Sequence, residues 1–253
     1  MDIDKGKLQL WLHEEFLKTK GYEVSNRLDW LDYCLFIFEE NYKVLDEYSN
    51  STQGVDVAFE MFKDHDYSSS IHGHFVRHLH NYLVSSKSLV EHTRISMRSW
   101  YKGTSLLKVY EDEVKRIFLD DPLTSFIEAL RNYCVHKSPI GVITQHDLTG
   151  SGPYNSTFIH KESLLDWGRL PNQAKKYLEG FDKDIPIIAP VSEYTDKVVS
   201  FRKWLRKEFE KYHAQEIYEA KWYIQALRLA EEENYDLLFR TCGLNIPRLK
   251  NKK

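Results

Sequence analysis

Cysteine is scarce in this sequence: three residues in 253, Cys34, Cys134 and Cys242, widely separated. The odd count and the absence of C-x-x-C spacing argue against a disulfide framework or a zinc knuckle, and they suit a reducing compartment. Two of the three sit in apolar helical runs, where a thiol acts as a small hydrophobe. Long apolar stretches are also missing, so no membrane span is expected. The opening residues, MDIDKGKLQLWLHEEF, carry early acids instead of a long apolar run. No secretory leader is expected from them, and the cytoplasm is the expected location. Nor is there an excess of positive charge. Lys and Arg number 35 against 38 Asp and Glu, giving a net charge of −3 and a pI near 6.4. Nucleic acid would therefore meet no global basic field, and a nucleic-acid enzyme would need a local basic patch. No G-x-x-x-x-G-K-[ST] or G-x-G-x-x-G pattern precedes a helix. The glycines of residues 149–153 do not form a phosphate loop, which excludes a P-loop triphosphatase or a dinucleotide enzyme. No nucleophile elbow, internal repeat or low-complexity run occurs.

What is present is helical periodicity and aromatic bulk. With 16 Tyr and 13 Phe the chain can bury a firm core without staples. A short helix is expected within residues 1–24, stopped by Gly21. Ser25 is placed to cap a second helix over about 26–48, where Trp30, Leu31, Cys34, Leu35, Phe38 and Tyr42 recur at threes and fours. A weaker helix follows around 55–63, then a polar break over 64–70. From about 70 to 100, a broad apolar stripe including Phe75, Leu79, Tyr82 and Met97 predicts the longest helix of the first half. Lys87, Glu91, Arg94 and Arg98 share another face of it. One more helix is expected over 105–119. Asp121-Pro122 marks a strong helix start, a capping carboxylate followed by proline at the first helical position. Ser138-Pro139 closes that helix. Residues 140–145 and 154–160, separated by DLTGSGP, read as a β-hairpin. Helix returns over 161–180, a proline-containing connection spans 182–191, and a long helix, broken at most once, covers about 192–234. The basic tail RLKNKK closes the chain.

One motif carries chemistry: Arg131-Asn132-Tyr133-Cys134-Val135-His136. Arginine, four residues and histidine is a weak pattern alone, since 12 Arg and 11 His make a chance match common. Its position adds information. Leu123, Phe126, Ile127, Leu130 and Cys134 mark the apolar side of the helix. At 100° per residue, Asn132 and His136 fall nearly opposite, four residues apart on one face. Arg131 lies on the flank, with a side chain long enough to swing towards His136. All three polar groups are expected to point away from the core, into a cleft or towards a second copy. A structural role competes with this reading. His136 suits the last helical turn, where the helix dipole favours a cation, and Arg131 could pair with Glu128.

On these residues the chain resembles the HEPN family of helical nucleotide-binding domains, whose ribonuclease members carry Arg, usually a polar residue, and then His near the end of a bundle helix. RNYCVH before Pro139 matches that form. The upstream segment 79–94, LHNYLVSSKSLVEHTR, looks like the partner helix of uncharacterised HEPN-like bacterial proteins. The likeness covers about residues 25–140, and the downstream half fits only loosely. The resemblance implies a mainly α fold, an up-and-down helical bundle with a β-hairpin insertion and a C-terminal helical extension. Residues 1–24 form a leading helix, 25–140 the bundle, and 141–253 pack on the same domain. It further implies a metal-independent endoribonuclease without cofactor, of toxin or phage-defence type. The alternative is a non-catalytic interaction or nucleotide-binding module. RNA, a second copy of the chain and an antitoxin protein are the implied partners. Cleavage would proceed by attack of the ribose 2′-oxygen on the adjacent phosphate. His136 would move the proton, Arg131 would stabilise phosphate charge, and Asn132 would orient. In the family two such motifs often meet across a dimer.

Further candidates are weaker. His74 and His78 are four apart, a spacing that can hold zinc, but no carboxylate or thiolate sits at matching spacing, and no metal is expected. His80 and Asn81 could face the catalytic helix and contact RNA. Lys87 and Arg94, with Arg98, could supply a phosphate-binding face, against the alternative of a solvated helix face.

Overall fold

In a computed structural model, the protein is mainly α-helical with one small antiparallel sheet. The structure describes residues 5–147, 149, 154–234, 237, 238 and 240. Cys242, the basic tail and most of the 147–153 turn lie outside them. The described residues form ten α-helices: α1 (Lys5–Leu17), α2 (Lys20–Ser51), α3 (Val55–Lys63), α4 (His65–Trp100), α5 (Ser105–Val114), α6 (Pro122–His136), α7 (Lys161–Leu165), α8 (Asn172–Leu178), α9 (Ile188–Tyr212) and α10 (Ala214–Glu231). A π-helical turn, Lys115–Leu119, continues α5.

Capping side chains fix several of these starts. Asp121 accepts from Thr124 N at 2.8 Å with Pro122 in the first turn of α6, as the sequence predicts. Asp64 accepts from the amides of Asp66 and Tyr67, so α4 begins at His65 and the polar break shrinks to a single capping residue. Ser25 caps nothing, because it lies inside α2. Thr19 holds that start instead, its Oγ1 accepting from Tyr22 N at 3.1 Å.

The chain divides into two compact units, residues 1–31 with 206–253 and residues 32–205, which groups it differently from the sequence division at 24 and 140. In the first unit α1 packs on α10 through Leu8, Leu12, Ala226, Leu229 and Ala230. Gly21 belongs to the first turn of α2 and is no helix stop. A Cβ built there would lie 2.5 Å from the carbonyl oxygen of Glu216 and 2.9 Å from Ala220 N. Only glycine lets the two backbones approach that closely.

The second unit holds the larger core, in which Phe38, Phe75, Leu79, Tyr82, Phe126 and Leu130 are buried. Tyr82 is hydrogen-bonded within it: its Oη donates to the Val191 carbonyl at 3.2 Å and is 2.9 Å from Thr195 Oγ1. The ring of Phe126 on α6 stacks on Tyr177 of α8 at 4.9 Å. The expected hairpin is present: β1 (Val142–His146) pairs antiparallel with β2 (Asn155–His160). A third strand, β3 (Asp184–Pro186), joins β2 from the segment expected to be a plain connection. The Asn155 amide donates to the Thr52 carbonyl at 2.7 Å, which docks the hairpin on the turn after α2. Residues 161–180 hold two short helices, α7 and α8, and the long C-terminal helix breaks once, at His213. No described helix is long and apolar enough to cross a membrane.

Candidate functional site

Helix α6 buries Leu123, Phe126, Ile127, Leu130 and Tyr133, and it packs against α8 and α4. Between α4 and α6 lies a small hollow of about 60 Å³, lined by Ser86, Lys87, Glu128, Arg131, Asn132 and Tyr194 among others. It has room for about two water molecules, or for one anionic group entering from solvent. Arg131 Nη1 donates to Asn132 Oδ1 at 2.8 Å. Arg131 Nε is buried without a hydrogen-bond partner among the described residues. The Arg131 side chain borders the α4–α6 hollow.

His136 is not part of this hollow. It is exposed in the last turn of α6 and forms no hydrogen bond or ion pair with the described residues. Five residues along a helix correspond to about 140° of rotation, and the hollow draws Arg131 the other way. The expected swing of Arg131 towards His136 is thus replaced by its bond to Asn132. Arg131 is also only partly outward, since its Nε is sealed. Nor does Arg131 pair with Glu128: that carboxylate stands 3.9 Å from Lys87 Nζ.

Of the candidate substrate contacts, Lys87 lines the hollow, with its Nζ 2.9 Å from Glu91 Oε1. Arg94 also pairs with Glu91 and lines a separate, larger cavity. His80 and Asn81 are exposed on α4 and line neither space. The upstream histidines are packing and hydrogen-bonding groups. Tyr48 lies 6.0 Å from the ring of His74 and 5.1 Å from that of His78. His72 Nε2 is 2.9 Å from Thr144 Oγ1. Among the described residues, no group of three or more His, Cys, Asp or Glu is placed to hold a metal ion.

The larger cavity, about 380 Å³, lies against α4, α5, the π-helical turn, α6 and α9. Its polar residues include Thr93, Tyr110 and Arg202, none of which the sequence marks as a functional candidate. A signal for Arg202 existed. It falls at helical spacing between Val198 and Leu205, so a guanidinium occupies the core-facing stripe of α9. Burial pushes the Tyr110 phenol up to about 12, against the opposing effect of the Arg98, Arg202 and Arg94 guanidiniums. Burial likewise raises Tyr194 to about 12, against a hydrogen bond from Ser86. Both phenols stay protonated near neutral pH.

The fold and site define a helical-bundle protein with a small polar hollow beside a larger, mixed cavity. No family model, curated protein or solved structure matches the chain. The likeness to HEPN domains therefore stands on the residues named above.

Proposed function

We propose that the protein is a metal-independent endoribonuclease of HEPN type that works as a homodimer. The observation that carries this reading is the split character of the motif. Arg131 and Asn132 form a prepared anion site next to Lys87, while His136 projects from the same helix into solvent without a hydrogen-bond partner among the described residues. A histidine in that position is available to a phosphate held by a second copy. A two-fold pairing of α6 would bring an imidazole to each guanidinium. Imidazole titrates near neutral pH and suits general acid–base work, and guanidinium forks onto phosphate oxygens. The nucleophile, a ribose 2′-oxygen, belongs to the substrate. Toxin or phage-defence activity, an antitoxin partner and a cytoplasmic location are the biological setting this reading carries.

Purified protein incubated with total RNA and a chelator should cleave it. Arg131→Ala and His136→Ala should each abolish cleavage, and mixing the two variants should partly restore it. Intact RNA in the presence of folded, dimeric wild type would overturn the reading.

A second reading rests on a specific observation: within one chain His136 lies outside the hollow that holds Arg131. That favours a non-catalytic module which binds a phosphate-bearing partner through Arg131, Asn132 and Lys87. Binding would then depend on Arg131 and be indifferent to His136→Ala.

A further inference from the structure

The cavity against α4 and α9 is larger than the hollow at Arg131 and has a different chemistry. Its walls include Leu89, Val114, Phe118, Leu119, Val198 and Phe201, and its volume of about 380 Å³ falls in the range of small-molecule sites. Four cations border it, Lys87, Arg94, Lys115 and Arg202, against the carboxylates of Glu91 and Glu128 on the lining and of Asp32, whose Oδ1 is 4.0 Å from Arg202 Nη2. Arg202 is 6% exposed, so one of these charges is deep in the fold.

Thr93 supplies the sharpest sign of an absent ligand. It is 4% exposed and lines the cavity, and its Oγ1 has no hydrogen-bond partner among the described residues. A buried hydroxyl left unsatisfied costs about 1–3 kcal/mol, so such groups are kept where something else meets them. Tyr110, 5% exposed, offers a second buried hydroxyl on the lining. The π-helical turn Lys115–Leu119 contributes Lys115, Phe118 and Leu119 to the rim. π-helical turns are rare and frequently lie at functional sites.

We propose that this cavity binds a small organic anion with an aromatic body. Its ring system lies against Phe118, Phe201 and Val198, and its carboxylate or phosphate accepts hydrogen bonds from Arg202, Arg94 and the Thr93 hydroxyl. Aromatic walls suit a flat apolar body, and the surplus of cations selects a negative head. The site does not depend on Arg131 or His136, so it stands or falls apart from the ribonuclease reading. Lys87, Glu128 and Tyr194 border both spaces.

The test uses the full chain and four probes: 2-naphthoate, 2-naphthyl phosphate, neutral 2-naphthalenemethanol and cationic 2-naphthylmethylamine. Titration calorimetry and ligand-detected NMR should show an anionic probe binding at least about tenfold tighter than the neutral and cationic ones. Comparison of the two anions distinguishes a carboxylate from a phosphate head. Arg94→Gln should weaken the anion by about tenfold. Val114→Trp, which fills the cavity, should abolish it. Thr93→Val is the decisive variant. It should raise the melting temperature of the free protein and still weaken the anion, which a purely structural threonine would not do. Equal binding of the neutral and anionic probes overturns the proposal. So does the absence of binding at about 1 mM of every probe, or unchanged affinity in a folded Val114→Trp protein.

Discussion

Arg131 Nη1 donates a 2.8 Å hydrogen bond to Oδ1 of Asn132, its neighbour in the chain. The two polar residues at the head of the motif are therefore one unit, and Asn132 orients the guanidinium rather than the imidazole. Both residues line the α4–α6 hollow, and His136 lies outside it.

The first prediction follows from that separation. Arg131→Ala should weaken RNA binding by about tenfold to a hundredfold, since hydrogen bonds to charged groups contribute about 1.5–3 kcal/mol. The slope of log affinity against log salt should fall by about one, the change expected when a single phosphate is no longer neutralised by the protein. Arg131→Lys keeps the charge and loses the planar fork, so the salt slope should survive while affinity drops. Fluorescence anisotropy across a salt series checks both. Equal affinity of wild type and Arg131→Ala would sink the anion role of the hollow.

Gly21 sits in the first turn of α2, with the Glu216 carbonyl where a Cβ would need to be. Gly21→Ala should destabilise the unit formed by residues 1–31 and 206–253 by about 1–3 kcal/mol, the usual cost of forced overpacking. Urea unfolding followed by far-UV circular dichroism measures it. An unchanged midpoint would mean that the two backbones separate without cost.

Gly21 also shows where the sequence was legible and where it was not. Periodicity and caps are local, so Asp121-Pro122, the stripe of α4 and the hairpin pairing could all be read directly. A glycine in a helix looks like a stop until the second helix is placed against it, and that information lies some two hundred residues away. The same holds for the site. Spacing put Asn132 and His136 on one face, and Asn132 is half-buried there while His136 is exposed. Arg131 borders a hollow that Ser86, Lys87 and Tyr194 also line, and those residues come from other helices, which no reading of α6 alone supplies. β3 was not legible because three residues ending at Pro186 carry too little alternation to mark a strand.

Asp121 caps α6 and lies 2.6 Å from Lys197 Nζ on α9. Burial alone would raise its carboxyl. Hydrogen bonds from Lys197 and Thr124 outweigh that and hold it below the usual aspartate range. A depressed folded value means that the unfolded chain binds the proton more readily. Stability is then full above the unfolded value near 3.8 and is lost as pH falls towards and through the lower folded one. Asp121→Ala should cost about 1 kcal/mol at neutral pH through the lost cap and should flatten this acid-side slope. Urea midpoints at a series of acidic pH values decide it, and an unaltered slope would contradict the assignment.

His72 acts in a different pH window. Its ring is half-buried on α4, bonded to Thr144 on β1. Burial lowers its pKa first, and the neighbouring His146 lowers it further. For a histidine whose folded value lies below the unfolded 6.5, the unfolded chain takes up the proton first as pH falls. The stabilising contribution is present above 6.5 and is lost between 6.5 and the lower folded value. Residues 32–205 should therefore weaken already in mildly acidic solution, before Asp121 begins to titrate. His72→Gln keeps a hydrogen-bonding side chain and removes the titration. It should leave neutral-pH stability within about 1 kcal/mol of wild type, and it should remove part of the loss seen on moving from neutral pH to mildly acidic solution. Denaturant midpoints at those two conditions, with NMR titration of the His72 ring protons, read both effects. A His72 that titrates above 6.5 would reverse the sign and refute the account of the hairpin contact as a seal around a neutral imidazole.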